Sequence, residues 1–350
     1  MYFNSFFIKD IVQYAISKGA EKHIFVGEEQ YLIPTEKPDL VNYEQIAQLL
    51  IKAVEATNDD FFGLHLGEYY TLKATEGVDN IMQLSLTVEE AFNNAVEYSR
   101  LISDSMECEL LQSQDSFGVA FDLNPEWALQ PKKAIRHNLE VALISAQKSL
   151  VMLTGFQYYP KELRLPYEKP KQFNEYYRVF NCVVSFNQSR AEILFDKRIK
   201  EKGIPNADVG LLAAIKQNAS YQLNTLPSNN DILTQVKRQI LKNIEGNTFP
   251  TIETIAGKLN TTPRTLQRSL KETDATYNEI LLSLKMKMAS RYLVDDSYKV
   301  EETAYLVGYS EVSSFTRAFK KWKGLSPKTF VKTLAASQDF VLYIFLLSVL

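Results

Sequence analysis

The sequence predicts a multidomain protein: an α+β domain at the N-terminus, then an all-α domain with two helix-turn-helix motifs joined by a long helix. Three observations predict it. A two-helix pattern occurs twice in the last third of the chain, about 48 residues apart. Before residue 223 helical and strand patterns are mixed, whereas after residue 230 the pattern is helical almost throughout. Charge divides at the same place. Asp231–Ala336 carries 17 basic and 11 acidic residues, leaving 22 and 31 for the rest of a 350-residue chain whose net charge is −3. A basic segment beside an acidic one suggests one part that meets a polyanion and one that does not.

The N-terminal domain, residues 1–222, opens with helical signals. Asn42 is placed to cap a helix carrying Ile46, Leu49, Leu50 and Val54 on one face. Thr87 and Glu90 form a capping-box pattern, and Val88, Ala91, Phe92, Ala95, Ser99 and Ile102 follow at helical spacing. A third helix runs through Leu139, Leu143, Ala146, Leu150 and Leu153 and stops at Gly155. Leu163 and Leu165 alternate with Glu162 and Arg164. Asn181–Phe186 and Ala191–Phe195 read as two strands joined in a hairpin by residues 187–190. The linker is expected at 223–230, where Pro227 ends a helix and Ser228, Asn229 and Asn230 favour turns.

The doubled unit fills residues 231–335. In its first copy Thr251 caps a short helix with Ile252, Ile255, Ala256 and Leu259 facing inward. Asn260 ends that helix in the left-handed region. Thr262 caps the second helix with Pro263 at its first position. Leu266 and Leu270 face inward, while Arg264, Gln267, Arg268 and Lys271 face outward. Ala256 is small because the second helix crosses close to it. In the second copy Val300, Thr303, Ala304 and Val307 face inward and Gly308 ends the helix. Phe315 and Phe319 are buried in the next helix, and Ser313, Ser314, Arg317 and Lys320 are exposed. Between the copies, Tyr277–Val294 reads as one helix buried through Ile280, Leu281, Leu284, Met288 and Leu293. Its 18 residues span about 27 Å. Two recognition helices held by such a strut would enter successive major grooves, about 34 Å apart, on one bent duplex.

The stretch Val307-Gly-Tyr-Ser310, Ser314-Phe-Thr-Arg-Ala-Phe-Lys320 and Gly324-Leu-Ser-Pro-Lys-Thr-Phe330 resembles the DNA-binding domain of AraC/XylS-type transcription regulators. The N-terminal part is similar to the "arabinose-binding" type of sensor domain found in that family. Phe62-Gly-Leu-His-Leu-Gly67, the helix start at Leu86–Ala91 and the segment Phe173–Phe195 carry this second likeness. The resemblance implies a cytoplasmic, dimeric regulator that binds double-stranded DNA, answers to a small-molecule effector and, if an activator, touches RNA polymerase. It places base and phosphate contacts at Arg264, Gln267, Arg268, Lys271, Ser313, Ser314, Arg317 and Lys320. Arg pairs bidentately with guanine and Gln with adenine. The alternative for Arg268 and Arg317 is a salt bridge within the domain. Lys321 and Lys323 are expected on phosphates or in solvent. The chain departs from the family pattern at Thr303, where a larger aliphatic residue is usual, and at Val331, where Arg is common. It departs again at the apolar tail 336–350, which has no assigned role.

No enzymatic centre is expected. Phosphate loops, metal-ligand spacings and nucleophile constellations are not evident, and neither a cofactor nor a metal is expected. His65 between two leucines reads as structural, and Cys108 and Cys182 as buried thiols. Tyr158, Tyr159, Tyr176 and Tyr177 read as core or interface. No apolar run reaches the roughly 18 residues of a membrane span, and MYFNSFFIKD does not resemble a secretory signal. Two other functions stay open: an enzyme tethered to DNA, and a regulator answering to a protein partner without a small ligand.

Overall fold

The computed structural model describes residues 2–33, 39–69, 75–226 and 231–336. The chain divides into two compact units, residues 1–127 with 133–226, and residues 128–132 with 227–350.

In the first unit β1 (Tyr2–Asn4) pairs antiparallel with β2 (Leu40–Asn42), and α1 (Phe6–Ser17) lies between them in sequence. Asn42 caps α2 (Tyr43–Thr57), accepting from the Glu44 amide at 2.8 Å, and Ile46, Leu49, Leu50 and Val54 are buried as the spacing predicts. Then come α3 (Phe62–Tyr69), α4 (Glu76–Gln83) and α5 (Val88–Tyr98). Thr87 accepts from the Glu90 amide at 3.2 Å, but the Glu90 carboxylate reaches the Leu86 amide rather than that of Thr87. Here the chain also forms a bridge with Gly203, which sets its entry into α5. Strands β3 (Met106–Gln112) and β4 (Ser116–Leu123) precede the long α6 (Lys132–Thr154), which ends at Gly155 with φ +75°.

The remaining elements are β5 (Glu162–Arg164), α7 (Asn174–Phe180), β6 (Val183–Ser185), β7 (Ala191–Asp196) and α8 (Val209–Thr225). The sheet order is β3-β4-β7-β5-β6. The expected hairpin of 181–186 with 191–195 is therefore corrected: β5 lies between the two strands, antiparallel to β7 and parallel to β6. The connecting residues step across β5 because their amides bond its flank. Asn187 N–H donates to Tyr167 O at 3.0 Å and Gln188 N–H to Leu165 O at 2.9 Å.

Leu223, Asn224 and Thr225, expected at the start of the linker, instead complete α8. The break comes at Leu226, which is extended (φ −62°, ψ 151°). A residue before proline is driven out of the helical region. Residues 227–230 and the tail from 337 lie outside the described residues.

Two glycines explain the Phe62–Gly67 motif. A Cβ on Gly63 would stand 2.4 Å from His137 O, and one on Gly67 2.8 Å from Ile144 Cβ. Helix α3 thus presses its backbone onto α6, and the Gly63 amide donates to His137 Nδ1 at 3.1 Å. Beside this crossing, Glu140 is wholly buried. Burial opposes its charge, but His137, Arg136 and the Tyr176 hydroxyl at 2.5 Å hold it ionised. Tyr176 is therefore core, while Tyr159 and Tyr177 are exposed.

His65 joins α3 to α7. Its Nδ1 lies 2.7 Å from Asp59 Oδ2 and its Nε2 2.7 Å from Glu175 Oε1. The Asp59 bond, against partial burial, raises the imidazole pKa above 6.5, and Glu175 adds to it. A raised folded-state pKa stabilises the fold fully below the ordinary value, and that stability is lost as pH rises through the raised one. Calorimetry of the chain against His65→Gln should show a gap in melting temperature that is widest near pH 6 and narrows above neutrality. A gap that widens with pH contradicts the assignment.

Candidate nucleic-acid interface

The second unit contains α9 (Ile232–Lys242), α10 (Ile252–Lys258), α11 (Pro263–Lys271), α12 (Tyr277–Val294), α13 (Val300–Leu306), α14 (Val312–Lys323) and α15 (Pro327–Ala336). Thr251 and Thr262 cap α10 and α11, and Pro263 opens α11, as read from the sequence. Between them Asn260 adopts φ +51°, and the Thr261 amide closes back on Ala256 O at 2.9 Å. Ala256 is fully buried between the two helices. Ile255, Leu266 and Leu270 pack with Val236 and Ile240 of α9 and with Tyr277, Ile280 and Leu284 of α12.

The second motif repeats this with other side chains. The Tyr309 amide bonds Ala304 O at 2.9 Å, and Gly308 takes the turn position at φ +74°. Phe315, Phe319 and Phe330 pack with Met286, Met288, Ala289 and Leu293 of α12. So α12 is buried on more sides than one stripe predicts, because its two halves serve two cores. Thr303 is fully buried, and its hydroxyl has no hydrogen-bond partner among the described residues.

On α11 the side chains of Arg264, Gln267, Arg268 and Lys271 are all exposed. On α14 Ser313, Arg317 and Lys320 are exposed and Ser314 is half-buried. Among the described residues Arg264 and Arg268 enter no ion pair, and Arg317 makes only a 3.3 Å hydrogen bond to Ser314 Oγ. The alternative of internal salt bridges for Arg268 and Arg317 has no partner there. Lys323 corrects the expectation of a solvated or phosphate-bound charge. It is buried, its ammonium 4.6 Å from the Trp322 ring centre.

Glu311 was not anticipated. It occupies the cap position of α14, and its carboxylate accepts from Ser313 Oγ at 3.3 Å and Ser314 Oγ at 3.5 Å. The signal was available: an acidic residue favours the positive end of a helix. Lys285 was also missed. It stands 4.4 Å from the Phe249 ring and 5.3 Å from that of Tyr309, and burial pushes its pKa down.

The first unit holds a cavity of about 160 Å³. Its wall comes from β3, β4, α4, α5, α6 and the N-terminal segment, and is mostly apolar. No Tyr of the 158–159 or 176–177 pairs reaches it. Cys108 does, and burial pushes its thiol up to about 11, while Cys182, elsewhere, is pushed to about 12. Both thiols therefore stay protonated near neutrality and are poor nucleophiles. His65, Glu68 and Glu175 bring ligating atoms within 4.8 Å of one another. Both His65 nitrogens already face carboxylates, and Arg178 bonds both Glu68 and Glu175.

Residues 33–202 match the profile described as the arabinose-binding domain of AraC transcription regulator, and residues 255–333 match a helix-turn-helix domain. The ornithine utilization regulator of Pseudomonas aeruginosa is 25% identical over 283 residues, covering 81% of this chain and 82% of that one. The transcriptional activator AggR of Escherichia coli is 33% identical over 81 residues, 23% of this chain and 31% of its own. The crystal structure of the regulator CdpR from Pseudomonas aeruginosa aligns over 93% of this chain and 98% of its own, at 21% identity and a TM-score of 0.44.

The two turns differ in what they tolerate. A Cβ on Gly308 would meet Asn247 O at 2.8 Å, in addition to the strained φ. Gly308→Ala should cost about 2 kcal/mol or more in chemical denaturation, whereas Asn260→Gly should change stability by less than about 0.5 kcal/mol. Thr303→Val removes a buried hydroxyl without a partner and keeps the shape. It should stabilise the chain by about 1 kcal/mol, read as a higher denaturation midpoint.

Proposed function

The chain belongs to the AraC family of DNA-binding transcription regulators, and we propose that Arg264, Gln267, Arg268 and Lys271 of α11 and Ser313, Ser314, Arg317 and Lys320 of α14 form its DNA-reading face. The observation that carries this is the pair of recognition helices whose outward arginines have no carboxylate partner among the described residues. Arg268 and Arg317 read bases. Arg264 and Gln267 flank them, and Lys271 and Lys320 hold phosphates. Ser313 and Ser314 reach only a close base or phosphate. Glu311 keeps their hydroxyls engaged and accepts from a cytosine amino group if the groove brings one near.

Residues 1–222 act as the sensing and dimerisation domain and residues 231–335 as the DNA-binding domain. The chain works in the cytoplasm as a homodimer, and contact with RNA polymerase follows if it activates. Support for self-association lies along α8, where Val209, Leu211 and Tyr221 are exposed. Among the described residues no helix is long and apolar enough to cross a membrane. The protein is a regulator and not an enzyme. Its similarities are to transcription regulators, and its two cysteines are protonated thiols.

An effector acts by binding one arrangement of the domains more tightly than another, which shifts their populations. Selection from a random duplex library by the full chain should enrich one sequence class. Arg268→Ala with Arg317→Ala should abolish that enrichment, each substitution costing about 1–3 kcal/mol of discrimination. Lys271→Ala should weaken all duplexes alike and lower the salt slope by about 0.9. Enrichment of the same sequence by the double variant overturns the base-reading assignment.

A further inference from the structure

We propose that the cavity of the first unit is a binding site for a neutral, ring-sized, mostly apolar molecule that carries one hydrogen-bond donor, such as a phenol or an indole. This rests on the sensor reading above and names the chemistry that the sensor recognises.

The cavity exists because small side chains face it. Ala95 of α5 and Ala142 and Ala146 of α6 stand where larger residues would close the gap against Val119 and Phe121 of β4. Protein interiors are packed to the density of organic crystals, with few voids larger than water. At about 160 Å³ this one is close to the size of an apolar cavity that takes up benzene.

The wall selects by charge. Among the described residues no Lys, Arg or His lines it. A carboxylate placed there would be desolvated without a counter-charge, which strongly disfavours its ionised form. Free amino acids and fatty acid anions are therefore poor fits. The hydroxyls on the wall also have a direction. Ser99 Oγ donates to Val96 O at 2.9 Å, Ser145 Oγ to Val141 O at 2.8 Å and Ser149 Oγ to Ser145 O at 2.9 Å. Their hydrogens are engaged by helix carbonyls, so they offer lone pairs to an occupant. Ser99, Ser145 and Ser149 thus accept from an occupant's O–H or N–H, while Ser105 Oγ, which accepts from Ser103 Oγ at 2.7 Å and from Asn138 Nδ2 at 3.2 Å, keeps one hydrogen to donate. A sugar fits poorly for a different reason: its several hydroxyls need donors and acceptors on all sides, and most of this wall is apolar. Among the described residues the one carboxylate on the wall, Asp79, already accepts from Thr75 Oγ1 at 2.6 Å.

The test uses the full chain and five probes: phenol, benzoate, benzylamine, L-arabinose and L-ornithine. Phenol should raise the melting temperature by a few degrees at saturation, and the other four should leave it unchanged. Ala142→Leu and Ala146→Phe each fill the void, and each should weaken phenol binding tenfold or more in titration calorimetry. A readout that changes no wall residue comes from the thiols. Phenol should slow alkylation of Cys108 and leave that of Cys182 unchanged.

A larger shift with benzoate, benzylamine, arabinose or ornithine overturns the proposed ligand class. Absence of phenol binding, undiminished binding in both filled variants, or Cys108 alkylation indifferent to phenol overturns the site. Titration of the selected duplex with and without phenol separates occupancy of the cavity from its coupling to DNA. Phenol binding with no change in DNA affinity contradicts the sensor reading and leaves the cavity site standing. Failure of phenol to bind removes the site and leaves the DNA-binding regulator intact.

Discussion

The second unit depends on one helix being shared by two cores. The pairs α10–α11 and α13–α14 are built from helices of 7, 9, 7 and 12 residues, too short to hold their shape alone in water. Each pair finds its missing surface on α12. Tyr277, Ile280 and Leu284 complete the first core, and Met286, Met288, Ala289 and Leu293 complete the second. The strut that fixes the distance between the recognition helices is therefore also what keeps them folded. Stability and reading geometry rest on the same side chains, so neither motif can shift along α12 without emptying a packed core.

Symmetry between the two motifs is kept in the backbone and relaxed in the side chains. Both first helices close through a 2.9 Å bond onto a buried alanine carbonyl, Ala256 in one and Ala304 in the other. Both turn residues are exposed, but at Gly308 a Cβ would stand 2.8 Å from Asn247 O, which leaves room only for glycine. The recognition faces diverge further. The first presents two arginines and a glutamine, and the second an arginine beside two serines tied to Glu311. On the proposed reading, two unlike faces on one frame meet an asymmetric site.

What was legible in the sequence was what local chemistry dictates. The threonine caps, Pro263, Asn260, Gly308 and the full length of α12 are each specified by residues within a few positions of one another, and each stands as read. What was not legible depends on distant partners. The strand order failed because nothing within 181–195 announces that β5 inserts between two strands; that choice is made by the carbonyls of Leu165 and Tyr167. The burial of Lys323 and the missing partner of Thr303 are likewise set by helices remote in sequence. The cavity had no local signal at all. An alanine on an amphipathic helix reads as a spacer, and only the meeting of α5 and α6 with the sheet turns Ala95, Ala142 and Ala146 into a wall.

On this account the two recognition helices bind DNA as one rigid reader. The most direct measurement is hydroxyl-radical footprinting on the selected duplex and on versions lengthened by 5 and by 10 base pairs between the two contacted segments. For each bound chain a rigid strut predicts two protected patches on one face of the parent duplex, about one helical turn apart. It also predicts loss of one patch and a large fall in affinity with either insertion, since α12 can neither rotate nor stretch to follow. A single patch on the parent, or undiminished binding to the duplex lengthened by 10 base pairs, contradicts it.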